Sequence, residues 1–486
     1  MDKNYDARNI ALTILCRILE NQVPSHIALS EGLADRQITK EDRSFIKKLV
    51  MGTIERVITI DEIINRYSSV KVKKQKPVIR NIIRIGIFQI LFMDVPDSAA
   101  CNESVKLAKK RKFMGLSGFV NGILRKITVE KEGIYTELSF DIAGDKEKCS
   151  NDIACKTENA DLDEIARKTE NSDLEKLSFK YSLPEWIVEY YIERFGLDKA
   201  EKAFAYFLKD SSVQIRCNIS RIKPAELVEI LKAEKVTVTQ RNESEKCMMI
   251  SGFDKLENLS SFKKGLFSVQ DYSSVLAGEC LSSGIIEEYL DNLRLKEISD
   301  PRSDNKSQVL EILDICAAPG GKTFNLADRL EAEGFNAHFT ACDVSEDKLE
   351  KILENITRCG IKGIDRAVND GTVYNPSFFE RFDIVIADVP CSGLGVISRK
   401  PDIKLNSSPE KIRELAKLQR QILDNTVKYV KKGGFLLFST CTIGKAENED
   451  NVRYIEERGF NRINAVQICP GEYDCDGFFY SLLKKC

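Results

Sequence analysis

The chain is poor in the side chains that most often do acid–base and metal chemistry. Its 486 residues include only two histidines, His26 and His338, and one tryptophan, Trp186. With so little imidazole, neither a histidine general base nor a histidine-built metal centre is expected. Fifteen cysteines are scattered along the chain and none forms a C-x-x-C pair. That spacing argues against structural zinc, and in a chain of this length it fits a reducing cytoplasm better than a disulfide scaffold. No run of about 18 apolar residues occurs, so no transmembrane helix and no membrane partner are expected. The charged opening Met1-Asp2-Lys3-Asn4-Tyr5-Asp6 lacks the apolar core of a secretory signal. No G-x-G-x-x-G dinucleotide fingerprint is present either.

The hydrophobic fraction of 43% and mean hydropathy of -0.26 are those of a soluble globular protein. The length calls for about two to four domains. A net charge of -2 conceals an asymmetry: residues 1–128 hold 23 Lys/Arg against 13 Asp/Glu, whereas residues 129–177 hold 7 against 14. A basic front end points to a polyanion partner, with a solvated helical surface as the equally available alternative.

Residues 1–128 read as helices throughout. Apolar residues keep helical spacing over Ala7–Leu19, Lys40–Thr59, Ile60–Tyr67, Pro77–Met93, Ala99–Lys110 and Val120–Ile127. Residues 129–177 are acidic and contain a twelve-residue repeat, Ile153–Glu164 followed by Ile165–Lys176. Two copies cannot stack into a solenoid, so an expanded linker is expected. Residues 178–265 read as a small α/β module, with Arg216 and Asn218 on an alternating strand as candidate RNA contacts. Residues 285–308 read as a charged surface loop. From residue 266 onward a third domain is expected, its strands and helices alternating as in a mostly parallel, doubly wound α/β sheet.

That last domain begins its chemistry at Val309–Thr323, VLEILDICAAPGGKT. A buried strand breaks at a glycine turn and passes into a helix, which lets a ligand approach the backbone. Gly321-Lys322-Thr323 imitates a P-loop ending, but the glycine needed five positions earlier is Cys316. Acids then follow at successive strand ends: Asp343, Asp370 and Asp388. Each alone reads as a helix cap or turn residue. Three together favour an adenosine-containing cofactor such as S-adenosylmethionine, seated at Cys316, Ala317, Ala318, Pro319, Gly320, Gly321 and Lys322 and at the three acids.

Two cysteines, Cys391 and Cys441, also stand at strand ends, where open α/β sheets bind ligands. A lone cysteine there is usually a small core residue. A thiolate nucleophile makes sense where carbon 5 of cytosine must be methylated, because that carbon is unreactive until a nucleophile adds at carbon 6. Asp388 could then bond the N3 side of the ring.

Two resemblances sharpen this reading. IRIGIFQILFMDVPDSAACNESVKLAKK with GFVNGILRKI resembles the helical RNA-binding domains of NusB type. DICAAPGGKT, CDVS, NDGT, DVPCSGLGVISRKPDIK and STCTIGKAENE together resemble the RNA cytosine-5 methyltransferases of the RsmB/Sun family. The resemblance implies a seven-stranded Rossmann-like methyltransferase domain using S-adenosylmethionine, a 16S rRNA substrate at cytosine 967, and a monomer without metal. By motif, Cys441 would be the nucleophile, Cys391 would assist release, Asp388 would face cofactor and base, and Arg399 and Asp402 would help position RNA. Leu405 departs from the aromatic frequent in that family. The competing expectations are a DNA-type cytosine-5 methyltransferase attacking through Cys391, and a non-catalytic RNA-binding assembly protein.

Overall fold

The helical periodicity of the first quarter becomes a bundle around the helix Pro77–Phe92 in the computed structural model, which describes residues 6–34, 38–139, 173–209, 212–297 and 309–486. Proline at its first turn supplies a preset φ where no N–H partner is needed. Isoleucines 79, 82, 83, 85, 87 and 90 are all buried, so this helix is apolar nearly all round, as a central helix must be. Its polar side chains are paired: Arg84 binds both oxygens of Asp61, and Asn81 donates to Glu20.

The helix expected to reach Thr59 stops at Glu55, and a second runs over Val57–Tyr67. The break is stabilised from far away, because the Ser182 hydroxyl accepts the N–H groups of Ile58 and Thr59 at the start of the second helix. Most of the twelve-residue repeat lies outside the described residues; its last four residues begin a helix over 173–181. Contacts group the chain into two units. The first is Met1–Leu208 with Arg399–Asn406, and the second is Lys209–Ser398 with Ser407–Cys486.

The second unit holds two sheets. Strands β1 (Val213–Cys217), β2 (Thr237–Gln240), β3 (Cys247–Ser251) and β4 (Phe267–Val269) form an antiparallel sheet ordered β2-β3-β1-β4. Arg216 and Asn218 do not present themselves to RNA there. Arg216 is 1% exposed and pairs with Asp328 at 2.6 Å, and Asn218 is 2% exposed and donates to the Gly265 carbonyl. A buried guanidinium needs such a partner, and here it ties this sheet to the helix Gly321–Ala332.

The larger sheet contains β5 (Leu310–Asp314), β6 (Ala337–Asp343), β7 (Ile364–Val368), β8 (Phe382–Asp388), β9 (Val430–Thr440), β10 (Phe460–Ile468) and β11 (Phe478–Lys485). Their order is β10-β11-β9-β8-β5-β6-β7. Five strands are parallel, while β11 runs antiparallel to both β9 and β10. Both faces are covered, so strand residues of either parity are buried. Ile384 and Ile386 of β8 join one apolar cluster, and Val385 and Ala387 join the other. The expected loop over 285–308 is a correction: Ser283–Glu297 is a helix with Ile286, Tyr289 and Leu290 buried, and 298–308 lies outside the described residues.

Candidate active site

The strand order reverses between β5 and β8. Their carboxyl ends therefore diverge and leave the crevice in which doubly wound sheets bind ligands. After β5 the chain turns through Ile315–Gly320 into the helix Gly321–Ala332. Gly320 sits at φ 106°, and a β-carbon there would lie 2.2 Å from the Phe324 ring, so only glycine fits. The turn is fastened to the neighbouring strand: Ala317 N–H donates to the Cys342 carbonyl, and Ala318 N–H to Asp343 Oδ2 at 3.0 Å.

A cavity of about 200 Å³ opens against this turn. Of the expected cofactor residues, Cys316, Ala317, Ala318, Pro319, Gly321, Lys322 and Asp388 line it. Gly320 and Asp343 stand behind, supporting the turn. Asp343 is 5% exposed and also accepts from Lys348 at 2.8 Å. Asp370 is elsewhere: it is exposed, does not line the cavity, and accepts the N–H and hydroxyl of Thr372, bonds that hold its carboxyl below the usual range.

Asp314, Gln270, Asp271 and Ser274 also line the cavity and were not anticipated. Asp314 was concealed inside an apolar strand, although an acid within such a run is itself a signal. It accepts the Thr323 hydroxyl at 2.6 Å, and burial is the main cause that pushes its carboxyl up to about 7. Asp271 caps the helix Tyr272–Glu279, where its side chain accepts the Ser273 N–H.

Lys322 does not stand free as a phosphate clamp. Its ammonium lies 2.6 Å from Asp388 Oδ2 and 4.8 Å from the centre of the Phe478 ring. The other Asp388 oxygen accepts the Ser439 hydroxyl at 2.9 Å. Asp388 is thereby held in one orientation at the crevice mouth.

The two cysteines meet. Strands β8 and β9 are parallel neighbours with Asp388 paired to Ser439, which places Cys391 and Cys441 just past the same edge of the sheet. Their Sγ atoms are 3.1 Å apart. The Cys391 thiol is pushed well up, first by its hydrogen bond with Cys441 and then by burial, with the charges of Glu447 and Asp388 adding.

Arg399 and Asp402 belong to the segment Arg399–Asn406, which groups with the helical unit. Asp402 is 7% exposed and accepts the backbone N–H and hydroxyl of Ser25. Its expected role toward RNA is corrected to that of an internal anchor, because both oxygens are engaged within the helical unit. Among the described residues no group of three or more His, Cys, Asp or Glu could hold a metal ion, and no helix is long and apolar enough to cross a membrane.

A seven-stranded Rossmann-like sheet with a glycine turn at its switch point and paired thiols beside it defines the methyltransferase class of α/β protein. The 16S rRNA methyltransferase RsmB/F family model matches residues 300–484, and the NusB family model matches residues 5–129. The chain thus carries an RsmB/F-type methyltransferase domain behind a NusB-type domain. It is 29% identical over 505 residues to a probable ribosomal RNA small subunit methyltransferase B of Bacillus subtilis, covering 99% of each chain. It is 29% identical over 502 residues to a protein of the same name from Synechocystis, again covering 99% of each. The crystal structure of PH0851 shares the fold along 99% of both chains, with a TM-score of 0.71 and 22% identity.

Proposed function

We propose that the protein methylates carbon 5 of a cytosine in 16S rRNA, using S-adenosylmethionine and a transient bond between Cys441 and carbon 6. The observation that carries this reading is the pair of thiols 3.1 Å apart at the ends of β8 and β9, beside Asp388 and the glycine-turn cavity. The family likeness supports rRNA as substrate, with cytosine 967 the position implied by the same resemblance.

The lining suits the cofactor. Asp271, Asp314 and Asp388 line the cavity and offer acceptors to a ligand ammonium, with Lys322 offsetting part of the Asp388 charge. The enclosed part is smaller than the usual range of about 300–1,000 Å³ for whole ligands. A cavity of this size would hold one end of such a molecule. When bound, the cofactor supplies an electrophilic methyl group.

The chain's own residues do the rest. A target base must leave any stacked helix before a thiolate can reach carbon 6. With Cys441 as the attacking thiolate, the Cys391 S–H 3.1 Å away can donate to it. The Cys441 sulfur adds to carbon 6, and the displaced electron pair makes carbon 5 nucleophilic. Asp388, oriented by Lys322 and Ser439, is placed to hydrogen-bond the N3 edge as charge develops. After methyl transfer, Cys391, its own proton released to solvent once the adduct has formed, takes the carbon-5 proton as a thiolate. The carbon 5–carbon 6 double bond re-forms, and the Cys441 sulfur leaves.

Denaturing gels with RNA and S-adenosylmethionine test this assignment. Cys441→Ala is expected to give neither adduct nor product, and Cys391→Ala to accumulate adduct. The reverse pattern would assign attack to Cys391 and sink the proposal. Mapping 5-methylcytosine in 16S rRNA from cells with and without the protein tests the target.

A further inference from the structure

Glu447 is fully buried, and among the described residues no cation pairs with it. What it holds is the segment around Cys391. One carboxylate oxygen accepts the Ser392 N–H at 2.8 Å, and the other accepts the Ser392 hydroxyl at 2.6 Å. Gln419, also fully buried, donates to Glu447 at 3.2 Å and to the Pro390 carbonyl at 2.9 Å. The neighbours of Cys391 on both sides are thus gripped by one carboxylate and one amide.

The neighbours of Cys441 are gripped by the next residue along. Asn448 accepts the Thr440 hydroxyl and donates to the Thr442 carbonyl at 3.2 Å. The hydroxyls of Ser392 and Thr442 lie 2.7 Å apart and join the two grips. A carboxylate without a counter-ion is costly to bury, and it persists where hydrogen bonds to it hold a geometry.

We propose that Glu447 is a positioning residue that sets the Pro390–Ser392 segment so that the Cys391 sulfur stands against Cys441, and so governs release of the methylated base rather than its capture. This rests on the cysteine roles proposed above. The titratable groups facing Cys391 are Cys441, Glu447 and Asp388, the last neutralised in part by Lys322. Glu447 therefore also contributes negative charge that raises the Cys391 thiol. The step concerned is proton transfer from carbon 5 to the Cys391 thiolate. It re-forms the ring double bond and expels the Cys441 thiolate.

The test uses the full chain carrying Glu447→Gln, with RNA and S-adenosylmethionine. Adduct is followed on denaturing gels across pH, and cofactor affinity is followed by calorimetry. Cofactor affinity should be unchanged and adduct should form. Its resolution should slow roughly tenfold or more, as misplaced reacting groups require, and the pH profile of resolution should move to lower pH as the charge near Cys391 is lost. In a Cys391→Ala background, Glu447→Gln should add no further slowing, because it acts through that thiol. Wild-type resolution with an unmoved profile, or additive slowing in the double variant, overturns the proposal. If Glu447→Gln does not fold, Ser392→Ala removes the hydroxyl contacts to Glu447 and Thr442 and keeps the N–H contact; slowed resolution supports the proposal and wild-type resolution overturns it. Should Cys391→Ala itself resolve adduct at the wild-type rate, the underlying cysteine assignment has failed, and the role of Glu447 falls with it.

Discussion

The signature DVPCSGLGVISRKPDIK is one continuous run, yet its two halves do different work. Asp388 and Cys391 sit at the crevice of the second unit, with Asp388 partly open and Cys391 against a second thiol. Asp402 and Lys404 belong to the helical unit and are buried there. Asp402 is bonded to Ser25, and Lys404 donates to the carbonyls of Glu55 and Ser182 at 2.6 and 2.7 Å. A charged residue at a reacting centre and one anchoring a segment look alike in a sequence. Exposure and partner separate them: the first keeps an open side toward a ligand, and the second has its bonds closed within the protein.

Substitutions test that division, beginning with the largest effect. Cys441→Ala should lower turnover on the order of 10⁴-fold or more, as loss of a covalent nucleophile does, while thermal unfolding stays near wild type. Asp388→Asn should keep the fold and cost on the order of 10²–10³ in kcat. Steady-state kinetics beside circular dichroism check both, and a parallel loss of fold would erase the contrast.

In the second half the effects should be on stability. Asp402→Ala leaves the Ser25 N–H and hydroxyl unsatisfied and should cost about 1–3 kcal/mol, measured by denaturant unfolding. Lys404 gives a pH signature. Burial pushes its amine down to about 7 from 10.5. Below that value the amine is charged in both folded and unfolded chains, and burial opposes folding fully. As pH rises from about 7 toward 10, the folded chain has lost a proton that the unfolded chain retains, so folding strengthens. Wild type should therefore gain Tm relative to Lys404→Met over that window, and a constant difference would remove Lys404 from the account. The smallest effect is expected of Asp370→Ala. Removing an exposed turn acceptor should change S-adenosylmethionine affinity by less than about threefold, as calorimetry would show.

Much of the fold and site is legible in the sequence, and what is hidden has a common cause. The apolar runs of β5 and β8 declare buried parallel strands. In β10, Asn461, Arg462 and Asn464 interrupt the apolar pattern, since this strand lies at the sheet edge, and it was not foreseen. The glycine turn was plain from AAPGGKT, but the Asp314 carboxyl beneath it was concealed in a strand. Arg216 reads as an RNA contact from its strand position and Asp402 from its motif; their partners Asp328 and Ser25 lie 112 and 377 residues away. Cys391 and Cys441 were singled out by motif, but their contact follows from β8 and β9 being parallel neighbours. Glu447 was present in STCTIGKAENE without a role, because its hold on Ser392 also depends on that pairing.

The central claim is that the two thiols divide the work, with Cys441 bonding the base and Cys391 freeing it. Peptide mass spectrometry of the Cys391→Ala protein trapped on its RNA tests this most directly. A cytidine-derived mass is expected on the peptide carrying Cys441. Absence of any adduct in that variant, with wild-type adduct mapped to Cys391, would contradict it.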